Sequence, residues 1–201
     1  MVEDLSWSYS CAVQSVGIGE LLWRLRSLDL WTDDSAYVLR LNIDFSEYMH
    51  VDHDLIQKIA LLPPFSVLHI VLAAYGHVFG AVVSNLLATY TSILSLKVVI
   101  WNFKRTQACP ADCLCDESPN WRSQTIPMMS LEEIEIDGFE GTSHEVDFLK
   151  LLFRCATRMK RMTVRISHKL FPSDRGYKEM LSIFEANASV KCYVYRRSGW
   201  Y

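Results

Sequence analysis

Neither sign of charge dominates this 201-residue chain, in which 20 Lys and Arg oppose 23 Asp and Glu for a formal net charge of −3. So even a balance gives no electrostatic attraction toward a nucleic-acid backbone or an anionic membrane, and neither is expected as a partner. The opening run MVEDLSWSYS has neither the basic start nor the apolar stretch of a secretion signal, so a cytoplasmic or nuclear location is expected. In such a compartment Cys11, Cys109, Cys113, Cys115, Cys155 and Cys192 read as reduced thiols, not as a disulfide framework. Disorder and collagen-like repetition are ruled out by what is present, because half of the residues are hydrophobic and 12% are aromatic. A chain of this length and composition buries a sizeable core.

Short catalytic patterns are absent too. There is no G-x-G-x-x-G or phosphate-loop pattern, no G-x-S-x-G elbow and no H-E-x-x-H helix, which removes the dinucleotide turn, the serine nucleophile and the zinc-protease helix in turn. Cys109, Cys113 and Cys115 lie close to Asp112 and Asp116. Yet a C-x-x-C pair is missing, C-x-C suits a tetrahedral zinc site badly, and no Cys/His pair follows at finger spacing. That segment is expected to be a surface loop of turn-forming Pro and Asp. The alternative is a small metal- or thiol-dependent enzyme using the Cys109/Cys113/Cys115 loop. His50 and His53 lack a third ligand, and Cys155 falls on the apolar side of its helix, where a thiol packs as a small hydrophobe. Glu132 and Glu133 project to opposite strand faces and so cannot work as an acid–base pair. Neither a catalytic residue nor a cofactor is expected.

Charge is missing altogether between Lys58 and Lys97, and hydropathy alone would flag residues 65–87 as a membrane span of about 20 residues. Periodicity argues against it. Phe79, Val82, Val83, Leu86, Leu87 and Tyr90 recur at helical spacing, with Gly80, Ser84, Asn85, Ala88 and Thr89 on the other side. Residues 67–73 form a β-type run after Pro63-Pro64, so the stretch reads as strand, turn and one-sided helix.

What the chain does have is repetition. The pattern L-x-x-L-x-L, with aliphatic or aromatic substitutes, fits Val2/Leu5/Trp7, Leu25/Leu28/Leu30, Val38/Leu41/Ile43, Phe65/Leu68/Ile70, Ile93/Leu96/Val98, Leu131/Ile134/Ile136, Met159/Met162/Val164 and, poorly, Val190/Tyr193/Tyr195. From Val38 onward the starts are 27, 28, 38, 28 and 31 residues apart, mostly near the upper end of the leucine-rich-repeat range of about 20–29 residues. Helix patterns fill the gaps: residues 52–62, the Phe79 segment, a run behind the capping box Thr142-Ser143-His144-Glu145, and a last helix capped by Asp174 and stopped near Asn187. The expected fold is therefore α/β, a leucine-rich-repeat solenoid with parallel strands and one helix per repeat. As a single domain it divides into irregular repeats (1–35, with a compressed turn), regular repeats (36–104), a cysteine-containing insertion (105–127) and further repeats (128–201).

Side chains alternate along strands, so residues between the inward positions line the other face of the sheet. Candidate binding residues there are Lys97, Glu133, Glu135, Asp137, Arg161 and Arg165, with Trp101 just past its strand as an aromatic anchor. In register, Glu133 faces Arg161, Asp137 faces Arg165 and Lys97 lies beside Glu135. Such a ladder either neutralises itself on a solvated sheet or offers its carboxylates to a charged peptide.

The run 109–167 resembles the carboxy-terminal FBD-type region of plant F-box/leucine-rich-repeat proteins, especially those of grasses. The resemblance is carried by NWR at 120–122, LEEIEIDGFEG, HEVDFLKLLFRCA and KRMTV, and upstream GHVFGAVVSNLL and VGIGELLWRL look like that family's repeats. It implies a non-catalytic scaffold that selects a target protein for a ubiquitin ligase. Adaptor docking in that family belongs to an F-box, and none lies upstream of Val2 in this sequence, so a ligase adaptor is not an expected partner.

Overall fold

The computed structural model describes residues 5–7, 24–33, 36–45, 59, 61–102, 115 and 121–197. Among the described residues eight strands form one sheet whose order follows the chain: β1 (Leu5–Trp7), β2 (Arg24–Asp33), β3 (Ala36–Asp44), β4 (Val67–Ala73), β5 (Ser95–Trp101), β6 (Glu133–Phe139), β7 (Arg161–Ile166) and β8 (Lys191–Arg196). From β3 to β8 every pairing is parallel, whereas β1 and β2 are antiparallel to their neighbours. Helices α1 (Gly80–Thr89), α2 (Ser143–Cys155) and α3 (Arg175–Ala186) follow β4, β6 and β7. This is an α/β protein with a mostly parallel sheet.

The expectation of uniformly parallel strands fails at β2. Only Asp34 and Ser35 separate β2 from β3, and a parallel crossover needs a dozen or more residues. Leu25, Leu28 and Leu30 still pack against the core, because strand direction does not alter which face alternate residues occupy and a bulge between Leu25 and Ser27 brings Leu25 to the face of Leu28. One helix per repeat is present in the β4–β5, β6–β7 and β7–β8 crossovers. The described part of the β5–β6 crossover, residues 102, 115 and 121–132, contains no α-helix. Of the helix expected at 52–62, residues 52–58 and 60 lie outside the described residues, Ile59 is helical and buried, and Leu61 and Leu62 already form a turn, with the Leu62 N–H donating to the Ile59 carbonyl.

Alternation makes the core. Leu39, Leu68, Leu96, Ile134, Met162 and Cys192 form one register row, and Leu41, Ile70, Val98, Ile136, Val164 and Val194 the next. The members from β3 to β7 are buried, each contributing roughly 1.5–3 kcal/mol relative to exposure. Leu41 thus aligns with Ile70, two residues from the expected Leu68. A two-residue slip keeps the side chain on the same face, so the sequence pattern survives it.

Helix α1 exposes Asn85, Ala88 and Thr89 on one side as expected, but Gly80 and Ser84 are covered along with Val82, Val83, Leu86 and Leu87. The Ser84 hydroxyl is satisfied by donating to the Ala81 carbonyl at 2.9 Å. Gly80 is covered by Trp121, for a Cβ built on it would fall 2.4 Å from the indole ring. Phe79, just ahead of the helix, meets Phe148 of α2 edge-on at 5.5 Å. Residues 65–87 are accordingly strand, turn and most of a helix, and no helix of the described residues is long and apolar enough to cross a membrane.

Helix α2 starts as its sequence indicates. Thr142 and Glu145 form a reciprocal capping box, with the Thr142 N–H donating to Glu145 Oε2 at 3.0 Å. Helix α3 departs in detail at both ends. Asp174 occupies its N-cap, but the carboxylate accepts from the Phe171 N–H at 2.8 Å and makes no bond to the helix's first turn. Asn187 ends it without a left-handed backbone, its amide donating to the Ile183 carbonyl at 2.7 Å.

Candidate interaction surface

Opposite the helices, the sheet presents three polar rows. The first runs Val38, Val67, Ser95, Glu133, Arg161, Lys191; the second Arg40, His69, Lys97, Glu135, Thr163, Tyr193; the third Asn42, Val71, Val99, Asp137, Arg165, Tyr195. The expected neighbours therefore coincide: Glu133 with Arg161, Asp137 with Arg165, and Lys97 with Glu135. Their ion pairing is partly diagonal. Arg161 pairs straight across with Glu133, but Arg165 Nε turns to Glu135 Oε1 at 3.1 Å, where Lys97 Nζ also lies at 3.1 Å. Asp137 is left to Arg197, whose Nε stands 3.2 Å from Oδ1 without hydrogen-bond alignment.

Five of the seven sequence-derived residues, Lys97, Glu133, Glu135, Arg161 and Arg165, line a single groove of about 580 Å³ with Thr163, Tyr193 and Tyr195. Burial disfavours ionisation of Glu135, but hydrogen bonds from Lys97 and Arg165 outweigh it and hold the carboxyl below its usual range. Beside the groove, burial and then the charges of Arg40 and Lys97 push His69 down to about 4. At neutral pH that row carries an uncharged imidazole between two cations.

Trp101 and Asp137 belong elsewhere. Trp101 is 38% exposed and lines a second groove of about 490 Å³ with Arg26, Asn42, Asp44, Val71 and Tyr75, in which Arg26 is ion-paired to the buried Asp44. The Arg197 guanidinium lies 4.5 Å from the Trp101 ring, so this one side chain joins Asp137 to Trp101. Gly138 opens its path. At φ 88° that residue favours glycine, and a Cβ there would stand 2.2 Å from the Ile100 carbonyl oxygen and 3.2 Å from Arg197 Nη1.

The last repeat corrects the sequence alignment. Tyr193 and Tyr195 were expected inward, but β8 pairs Cys192 with Met162 and Val194 with Val164. A one-residue change of phase exchanges the faces completely. Both tyrosines therefore lie on the polar face, stacked at 6.3 Å and 13°, with the Arg165 guanidinium 5.5 Å from the Tyr195 ring. They are the site residues that the repeat pattern misassigned. The signal was available in Cys192-Tyr193-Val194-Tyr195, where the smaller apolar residues alternate with aromatics bearing a hydroxyl.

Cys109 and Cys113 lie outside the described residues. Cys115 is buried, with its sulfur accepting from the Val78 N–H at 3.4 Å, and among the described residues no group of three or more His, Cys, Asp and Glu could hold a metal. The insertion was expected to be a surface loop, yet Cys115 and Trp121 are both in the interior. Arg122 continues the anchoring, with Nε 2.8 Å from Asp147 on α2 and its guanidinium 4.6 Å from the Trp121 ring. Cys155 is a core residue, as expected, and its sulfur accepts from the Ile126 N–H at 3.4 Å.

A mostly parallel α/β sheet, with helices on one side and a charged, aromatic-edged groove on the other, defines the class. Within it, residues 128–164 match the FBD family. The matched segment is the β6–α2–β7 unit; it contains Glu133, Glu135, Asp137 and Arg161 but excludes the buried Trp121. No curated protein and no solved structure matches the chain.

Proposed function

We propose that this chain is a non-catalytic protein-interaction scaffold, the target-selecting part of an F-box-type receptor. It is a leucine-rich-repeat solenoid in this reading, acting in the cytoplasm or nucleus and binding a target protein across the open face of its sheet. The observation that carries the reading is the convergence of Lys97, Glu133, Glu135, Arg161 and Arg165 around one groove. Support comes also from a strand order that follows the chain and from the FBD match at the groove's central unit, a domain that fits protein interaction. Ligase-adaptor docking is assigned to no residue of this chain.

Site-specific photocrosslinking in cells of the source organism tests it. A photoreactive residue at Thr163, in the groove, is expected to give a discrete protein adduct that Glu135→Arg reduces at least fivefold. The same group at Lys178, exposed on α3, is expected to give none. Equal labelling at both positions, or an adduct insensitive to Glu135→Arg, refutes the groove as the binding surface. A stoichiometric complex of residues 1–201 with a ligase adaptor refutes the division of roles.

A further inference from the structure

Strand β8 is bonded on one side only among the described residues, pairing with β7 and with no ninth strand. The Lys191 N–H donates to the Lys160 carbonyl and the Arg197 N–H to the Ile166 carbonyl. In a parallel ladder alternate residues bond to opposite sides, so Cys192, Val194 and Arg196 direct their N–H and C=O groups outward. Those groups are a template for one more strand.

Side chains along this edge indicate what fits. Tyr193 and Tyr195 are 41% and 48% exposed and stacked on each other, a rigid aromatic platform beside the open ladder. Tyrosine and arginine are enriched at interfaces because they bring large contact area with a polar handle. From 187 to 197 the sequence contains Lys191, Arg196 and Arg197 but no acid. Arg197 is engaged by Asp137, while Lys191 and Arg196 are exposed and make no ion pair among the described residues. A second copy is a poor occupant, since antiparallel self-pairing of the outward groups centred on Val194 sets Lys191 opposite Arg197 twice. Charges on an edge strand also deter aggregation, but a purely protective edge gains nothing from an exposed aromatic pair.

Resting on the reading of the chain as an interaction module, we propose that the β8 edge takes up an extended acidic segment of the partner protein as a ninth strand. Backbone bonds form to Cys192, Val194 and Arg196. Carboxylates meet Lys191 on the open face and Arg196 on the helix side, and an intervening side chain lies beside Tyr193.

The test uses the full chain and two fluorescein-labelled hexapeptides, Glu-Glu-Thr-Thr-Glu-Glu and Lys-Lys-Thr-Thr-Lys-Lys, whose paired end residues carry a charge on each strand face, followed by anisotropy. The acidic peptide is expected to bind and to weaken at higher salt, and the basic one not to bind. Lys191→Glu/Arg196→Glu is expected to lower acidic-peptide affinity at least tenfold. Val194→Pro does the same by removing an outward N–H without touching a β7–β8 bond; should it fail to fold, the charge-reversal variant, altering exposed side chains only, still decides. On binding, amide exchange is expected to slow at Cys192, Val194 and Arg196 and to stay unchanged at Tyr193 and Tyr195. Preference for the basic peptide, undiminished binding by the charge-reversal variant, or a dimer abolished by Val194→Pro each overturns the proposal. Failure of this proposal is distinguishable from failure of the groove, because the peptide assay reads Lys191, Val194 and Arg196, whereas the Thr163 crosslink and its response to Glu135→Arg read the groove.

Discussion

Glu145 is wholly buried beneath the turn it closes, accepting from the N–H groups of Glu140 at 2.9 Å and Thr142 at 3.0 Å through one oxygen, while its other oxygen has no partner. Burial pushes its carboxyl up to about 7, although the two backbone donors favour the ionised form. Between the ordinary carboxyl range and about 7 the folded chain thus holds a proton that the unfolded chain has lost. This contribution to stability is complete in acid and disappears as pH rises through 7. Glu145→Gln keeps an acceptor for both N–H groups and removes the titration. Its stability relative to the native chain is therefore expected to rise from pH 5 to pH 8, as read by urea denaturation; a difference that does not vary with pH contradicts the assignment. Gly80 and Trp121 make a second residue-scale case. Gly80→Ala is expected to cost about 1–3 kcal/mol by overpacking, and Trp121→Ala about 3–5 kcal/mol. In the double variant the two costs are expected not to add, because removing the indole makes room for the methyl. Additive losses in denaturant melts contradict this contact. The sequence marked Trp121 as part of a motif but gave no sign that it reaches α1, because that contact spans more than forty positions of chain.

Elements were legible where their determinants are local. The strand at Val67–Ala73 and the capping box of α2 both follow from short-range rules: alternation in one, and in the other a hydroxyl and a carboxylate three residues apart. Thr142→Ala is expected to destabilise the chain by about 1 kcal/mol and to speed amide exchange in the first turn of α2 more than in its last. Uniform change along the helix would mean that the cap is energetically idle. Elements were misread where a neighbour outside the window decides. The burial of Gly80 depends on Trp121, and the inward face of β8 depends on its register with β7. Likewise, the spacing of the second and third repeats pointed to compression, but only the two-residue connection between β2 and β3 makes those strands antiparallel.

Across the molecule, burial is unequal along the sheet. The inward side chains of β4 to β7 are fully enclosed, whereas Cys192 and Val194 of β8 and Leu25, Leu28 and Leu30 of β2 are only partly covered. Native-state amide exchange is expected to be slowest in β4–β7 and to quicken toward β2 and β8. Protection of β8 equal to that of β5 would mean that its outer edge is already covered. The sequence by itself determined the alternation, the near-constant repeat and hence which charged residues share a face, because these depend on a period of two and on chain length between strands. It also determined the cross-strand neighbours Glu133–Arg161 and Lys97–Glu135, which follow once the strands lie side by side. Only the tertiary structure decided that Arg165 turns to Glu135 and Arg197 to Asp137, that Trp121 fills the space over Gly80, and that both tyrosines stand on the open face. Those outcomes rest on which groups compete for one carboxylate, on the volume left between packed elements, and on a one-residue register that no local pattern encodes.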